Sequence, residues 1–215
     1  MIVLKDICKE FDGVKVLNGL NLNFKKNKIT AVLGGSGIGK TTLLNILSNI
    51  TAYSGEILGL NGKVAYAFQN PTLLPNLTVK ENILLAVKNL DLGELDYALE
   101  SVDIFSLKDK IVNNLSVGEK QRVNFLRALL CKAELLLIDE TFSSLDIISK
   151  LKCEKLLREY FKKGNLTVIL VTHDVGLALS LADEILIITK ERVDAFLNDG
   201  NEKILKDKLF NTFEV

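Results

Sequence analysis

Gly34-Gly35-Ser36-Gly37-Ile38-Gly39-Lys40-Thr41 follows the pattern G-x-x-x-x-G-K-[ST], whose residue types suit the holding of a phosphate chain. Glycines let the backbone curl with its N–H groups pointing inward, in conformations closed to residues with a Cβ. Lys40 supplies a positive charge for the β- and γ-phosphates, Thr41 a hydroxyl for Mg²⁺, and Thr42 completes the segment that holds the anion. A second segment, the acidic pair Asp139-Glu140, ends the apolar run Leu135–Ile138. In a parallel sheet, ligands gather at the carboxyl ends of strands. Asp139 is then placed to hold Mg²⁺ through its water shell, and Glu140 to orient an attacking water. Acids at strand ends also serve as turn or cap residues; the phosphate loop is what favours the chemical reading. Together the two segments imply Mg²⁺-dependent nucleotide hydrolysis.

These residues need a strand before the loop, a helix after it and a further strand ending at the acids. The apolar run Ile29–Leu33 supplies the first strand, and helical periodicity from Lys40 to Ser48 the helix. Val64–Phe68, Leu135–Ile138, Thr167–Val171 and Glu184–Thr189 are further strand candidates with helical segments between them, the pattern of an α/β fold around a mostly parallel sheet. The N-terminal part differs. Ile2–Phe11, Asp12-Gly13 and Val14–Leu17 predict a β-hairpin on a tight primed turn, and Leu20–Phe24 extends it. From Pro71 to Lys132 the periodicity is helical, which predicts an insertion. The expected organisation is one domain over 1–215. Segments 1–70 and 133–215 form the nucleotide-binding core, and 71–132 a helical subdomain. Asn201–Val215 reads as a short amphipathic helix and a tail.

Composition narrows the partners. Of 215 residues, 48% are apolar, and Lys+Arg and Asp+Glu balance at 27 each, with no basic run, so nucleic acid is not an expected partner. The N-terminus alternates apolar and charged residues and is not a signal peptide. No apolar run approaches the roughly 20 residues of a membrane span. If the protein serves a membrane process, another chain must cross. Cys8, Cys131 and Cys153 are few and scattered, which fits core thiols in a reducing compartment and no metal site.

Leu115–Val123 reads Leu-Ser-Val-Gly-Glu-Lys-Gln-Arg-Val. Ser116-x-x-Glu119 is a capping box opening a helix that runs to about Cys131, with Val123, Leu126 and Leu130 on one buried face. A capped helix N-terminus beside Gly118 is also an anion-binding device. No N-K-x-D motif for guanine is present.

At this point the chain resembles the ABC ATPase family over essentially its whole length. Ser116-Val117-Gly118-Glu119 is similar to the signature L-S-G-G-Q, with Val117 for a glycine and Glu119 for the glutamine. In that family the signature of one subunit closes over ATP held by the phosphate loop of the other. The resemblance implies a RecA-like P-loop NTPase core, ATP and Mg²⁺ as cofactors, and a head-to-tail homodimer. It assigns Gln69 to the Q-loop, sensing Mg²⁺ and the attacking water; by itself Gln69 reads as a polar loop residue. Ser143-Ser144-Leu145-Asp146 resembles the D-loop. His173, the sole histidine, matches the switch histidine that bonds the γ-phosphate, although a lone histidine is more often structural. Phe11 matches the aromatic residue that stacks on adenine; by itself it reads as hairpin packing.

Pro71–Ile83 resembles the matching segment of nitrate, sulfonate and taurine importer ATPases, where the family seats the permease's coupling helix. The implied protein is a cytoplasmic ATPase, peripheral on the membrane, serving permease subunits and a solute-binding protein. The chain ends soon after the core, unlike importer ATPases with a regulatory C-terminal domain. An ABC-type regulator of a membrane partner, as in cell division, and a P-loop kinase are the alternatives.

Overall fold

The computed structural model describes residues 1–87, 89–189, 193–198 and 207. In chain order its elements are β1 (Ile2–Phe11), β2 (Val14–Phe24), β3 (Ile29–Gly34), α1 (Lys40–Leu47), β4 (Ser54–Leu58) and β5 (Val64–Ala67). There follow α2 (Val79–Ala86), α3 (Leu92–Ser101), α4 (Val117–Leu129), β6 (Leu135–Asp139), α5 (Ile147–Lys162), β7 (Thr167–Val171), α6 (Val175–Leu181), β8 (Glu184–Ile188) and β9 (Val193–Leu197). The residues cluster into two compact units, Met1–Gly62 with Thr167–Val215, and Lys63–Leu166.

In the first unit, Asp12 and Gly13 both have positive φ, 49° and 82°, as the primed turn between β1 and β2 requires. Phe11 faces Val14 across the turn, and Ile2 faces Phe24 at the far end. The apolar pattern breaks between Leu17 and Leu20, yet β2 runs through the break. Register shifts take up the irregularity, and one of them lies beside Asp6 at φ 50°. β4 pairs antiparallel with the other edge of β1. It is absent from the sequence reading because Ser54, Gly55, Glu56 and Leu58 are exposed, so no apolar alternation marks it.

β3 is flanked in parallel by β7 and β8, and β9 closes that edge antiparallel. All five β7 residues and the first five of β3 are buried, which is why these strands read as unbroken apolar runs. Burial of each such Val, Ile or Leu contributes about 1.5–3 kcal/mol. β9, half-exposed along its length, was not expected. The proposed helix at 201–215 lies outside the described residues, apart from residue 207.

In the second unit, β5 and β6 pair in parallel. The expected helical insertion holds α2, α3 and all of α4, two 3₁₀ turns at Phe105–Leu107 and Val112–Asn114, and an isolated bridge between Thr78 and Ile111. Val123, Leu126 and Leu130 are fully buried, and Phe125 meets Phe142 edge-on with ring centroids 5.2 Å apart. The cysteines only partly match core thiols. Cys153 is buried, which pushes its thiol up to about 12, but Cys8 and Cys131 are half-buried. Cys8 Sγ accepts a hydrogen bond from Gly19 N at 3.0 Å. No helix among the described residues is long and apolar enough to cross a membrane.

Candidate active site

The register of the first unit sets which candidates share an edge. Val32 pairs with Val171 and Gly34 with Ile188, so the phosphate loop and the residues after β7 leave the sheet at one carboxyl edge. Gly37 and Gly39 take φ of 75° and 99°, the left-handed region that favours glycine. A Cβ on Gly39 would stand 2.7 Å from Leu17 Cδ2, and one on Gly34 2.6 Å from Ile188 O. Around Gly35 and Gly37 there is open space, which leaves room for an anion against the backbone. Gly39 is the N-cap of α1, with no side-chain cap and no acidic residue in the first turn. The positive end of that helix is therefore left to a ligand.

Lys40 is 8% exposed, and its Nζ donates to Gly34 O at 2.9 Å and Gly35 O at 2.8 Å. Ser36 and Thr41 are exposed, while Ile38 and Thr42 are half-buried. His173 is exposed at the same edge. Before it, Thr172 N donates to Val32 O at 3.2 Å; after it, the Asp174 carboxylate caps α6 by accepting from Leu177 N at 2.9 Å. Both neighbours are thus anchored. Phe11 closes the hairpin, 46% exposed, with Lys9 Nζ 4.6 Å from its ring centroid. A cavity of about 750 Å³ lies between β2 and the phosphate loop, lined by Val16, Leu17, Gly37, Ile38 and Ile188 among others; Phe11 is outside its lining.

The second unit makes a similar edge. Ala67 pairs with Ile138, so Gln69 and the Asp139-Glu140 pair leave β5 and β6 together. Asp139 is 1% exposed, and its Oδ2 accepts from the Tyr66 hydroxyl at 3.1 Å. Burial, then the Asp139 charge, pushes the Tyr66 hydroxyl far above its ordinary range, so it stays a donor. Tyr66 also stacks on Phe68 at 4.0 Å. Glu140 sits at φ 45°, a conformation costing about 1–2 kcal/mol for a residue with a side chain. It is held there by Ser143, whose N and Oγ donate to Glu140 O at 3.1 and 2.7 Å. A buried carboxylate followed by a strained one suits cation holding and water orientation.

The capping box at α4 is complete. Glu119 N donates to Ser116 Oγ at 3.3 Å, and Ser116 N donates to Glu119 Oε2 at 2.6 Å. The second bond is the main reason the Glu119 carboxyl is held below its ordinary range. The glutamate is thereby engaged on its own helix end, while the Val117 and Gly118 N–H groups take no part in the box. A Cβ on Gly118 would lie 3.8 Å from Leu145 Cδ2 and 3.9 Å from Ser144 O, which puts the helix start beside the 143–146 segment. Arg122 donates to Ser149 Oγ, and Ser149 N donates to the Asp146 carboxylate at 3.0 Å.

Among the residues that the sequence did not single out, Tyr66, Gln121, Asn124 and Arg127 touch these segments. Gln121 Nε2 donates to Gln69 O at 2.5 Å, and Asn124 Nδ2 to Phe68 O at 2.8 Å. Arg127 donates to Thr72 O and Oγ1, both at 2.8 Å. A signal was available. Polar residues at 121, 124 and 127 share one slanting line on a helix whose other side is apolar.

A family model described as ABC transporter matches residues 17–143, more than half of the chain. The chain belongs to the ABC transporter family. Among curated ABC relatives is the aliphatic sulfonates import ATP-binding protein SsuB of Granulibacter bethesdensis, 37% identical over 198 residues, covering 91% of this chain and 82% of that protein. The spermidine/putrescine import ATP-binding protein PotA of Spiroplasma citri is also 37% identical, over 87% of this chain and 59% of its own length. Among solved ABC structures, the chain is similar to the ATP-binding cassette MJ0796, a dimer in a post-hydrolysis state bound to ADP and Pi. That likeness has a TM-score of 0.80 and 26% identity, covering 92% of this chain and 99% of that one. The ABC assignment makes this chain an ATPase on a P-loop α/β core.

Proposed function

We propose that this chain is the ATP-hydrolysing subunit of an importer, working as a head-to-tail homodimer that drives separate permease subunits. The observation that carries the reading is the presence in one chain of two helix starts suited to anions. One follows the glycine loop at Lys40; the other follows Ser116. A site that uses both from opposite subunits needs two copies.

In this reading residues 34–42 hold the triphosphate and Lys40 neutralises the β- and γ-phosphates. Thr41, Gln69 and Asp139 hold Mg²⁺, which supplies charge neutralisation on the phosphate oxygens. Glu140 orients a water for attack on the γ-phosphorus and takes up its proton as the bond to the β–γ bridging oxygen breaks. His173 donates to the γ-phosphate, and Phe11 packs on adenine. Ser116 and Gly118 of the opposite copy close over the same phosphate, with the 71–132 segment as the arm that carries them. The closed dimer is favoured by ATP and opens when products leave.

Pro71–Ile83 is the seat for the permease. Asn82 fixes the path of this loop: its Oδ1 accepts from Leu74 N at 2.7 Å, and its Nδ2 donates to Leu74 O at 3.1 Å and Thr78 O at 3.0 Å. Peripheral placement on the cytoplasmic face and service to a solute-binding protein follow. Sulfonate-importer relatives make small organic anions the first solutes to assay.

The test is Glu140→Gln. The variant is expected to accumulate an ATP-dependent dimer in size-exclusion chromatography, with turnover lower by about 10²–10⁴-fold. A variant that stays monomeric with ATP and turns over at the normal rate would refute the mechanism. Release of inorganic phosphate, and not phosphorylation of a small acceptor, separates this reading from a kinase.

A further inference from the structure

α4 begins at the signature segment and runs beneath the Gln69 loop, and three of its side chains reach that loop. We propose that Gln121, Asn124 and Arg127 are positioning residues. They fix the Gln69 loop to the signature helix, so that nucleotide capture at Ser116–Gly118 and placement of the Gln69 side chain become one movement. The inference rests on the site reading above and specifies how its two functions in this unit are linked.

The three residues stand at i, i+3 and i+6, spanning about 9 Å of helix axis. Each rung ends on a main-chain carbonyl: Gln69 O, Phe68 O and Thr72 O. Gln121 and Asn124 therefore define the path of the loop whatever side chains it bears, and Arg127 holds both the carbonyl and the hydroxyl of Thr72. Gln121 and Asn124 are 4% and 0% exposed. Asn124 Nδ2 also reaches Gln121 Oε1 at 3.3 Å, so both ends of the Gln121 amide are engaged and its orientation is set. Arg127 adds a fork of two bonds at Thr72, at the outer end of the loop. A buried amide deprived of its partner is costly, so at Gln121 and Asn124 the loop and helix separate only by breaking bonds that water does not readily replace, while the Arg127 bonds are exposed. An α-helix is stiff over this length. A shift of its capped end is delivered to residue 69 with little loss.

A purely structural cluster and a positioning ladder differ in a double-mutant cycle on turnover. Gln121→Leu keeps the bulk of the side chain and removes its donor. It is expected to leave binding of a fluorescent ATP analogue near wild type, because its hydrogen bonds go to Gln69 and Asn124 and not to the phosphate loop at 34–42, and to lower kcat about tenfold. Combined with Gln69→Ala, it is expected to add nothing to the loss caused by Gln69→Ala alone, since both act through one group. Arg127→Leu is expected to repeat the pattern more weakly, and Arg127→Lys, which keeps a donor, to recover turnover. If Gln121→Leu does not fold, the cycle is run on Arg127→Leu with Arg127→Lys.

Losses that multiply in the double variant overturn the inference, as does a drop in melting temperature with unchanged kcat. Normal turnover in Gln69→Ala itself refutes the role of Gln69 in the site reading, and the ladder falls with it. Multiplying losses on a slow Gln69→Ala refute the ladder alone.

Discussion

The N-termini of α1 and α4 face the same electrostatic situation and are finished in opposite ways. α1 starts at a left-handed glycine with no side-chain cap and no acid in its first turn. α4 starts at Ser116 inside a closed capping box with Glu119. Both ends carry the partial positive charge of aligned peptide dipoles. At α1 that charge is left for a ligand, and a buried lysine reinforces it. At α4 a carboxylate of the same chain has already taken a share. A helix end without a cap is a poor way to begin a helix and a good way to bind phosphate. A capped end is stable by itself and can only assist an anion held elsewhere. The two halves are therefore unequal, one binding and one completing.

The largest effect should come from the binding half. Lys40→Ala is expected to lower turnover by about 10²–10³-fold and to weaken nucleotide binding, measured with a fluorescent analogue. Retained binding and turnover would place the primary anion site elsewhere. Gly39→Ala attacks the same half through its backbone. With φ of 99° and Leu17 Cδ2 in the way, it should cost about 1–3 kcal/mol in denaturant unfolding. An unchanged midpoint would mean the loop relaxes freely.

The completing half should answer more gently. Ser116→Ala is expected to lose about 1 kcal/mol of stability with its cap, and to weaken ATP-driven dimerisation while leaving monomer binding intact. Equal losses in both would erase the distinction between the halves. Glu119→Gln is the smallest and sharpest probe. A neutral amide still caps, and it lifts a negative charge from the helix end. The ATP concentration for half-dimerisation should fall about two- to fivefold.

The same substitution carries a pH signature. Because the Glu119 carboxyl is held below its ordinary range, its contribution is complete above that range and is lost as pH falls through the lowered value. The melting difference between wild type and Glu119→Gln should therefore narrow on acidification. The group is half-buried at the helix end and still screened by solvent, so the change is small. A difference that is constant with pH would show that the carboxylate does not stabilise the cap.

Much of this was legible beforehand, for reasons that separate the residues. The buried strands Ile29–Gly34, Leu135–Asp139 and Thr167–Val171 declare themselves because both faces are apolar. Asp12-Gly13 declares a hairpin because few other pairs accept two positive φ values. β4 and β9 stayed silent because their exposed faces leave no period to read. Asp139 and Glu140 could be picked out as a pair and given different roles, but their different settings could not be read. Burial of Asp139 under Tyr66 comes from packing against a residue distant in the chain, and the left-handed backbone at Glu140 from a turn closed by Ser143. Gln121, Asn124 and Arg127 lie on the polar side of an amphipathic helix, which ordinarily faces water. Two of them are buried because a loop some 50 residues earlier crosses them.

The bonds from Lys40 to Gly34 O and Gly35 O have a kinetic consequence. They tie the loop to its own helix, so the entropy of ordering the glycines is lost when the protein folds and not when ATP arrives. Incoming nucleotide meets a surface already in shape, and capture should proceed at the rate of an encounter between rigid bodies. Softening the loop would lengthen the search for ATP before it shortened the stay.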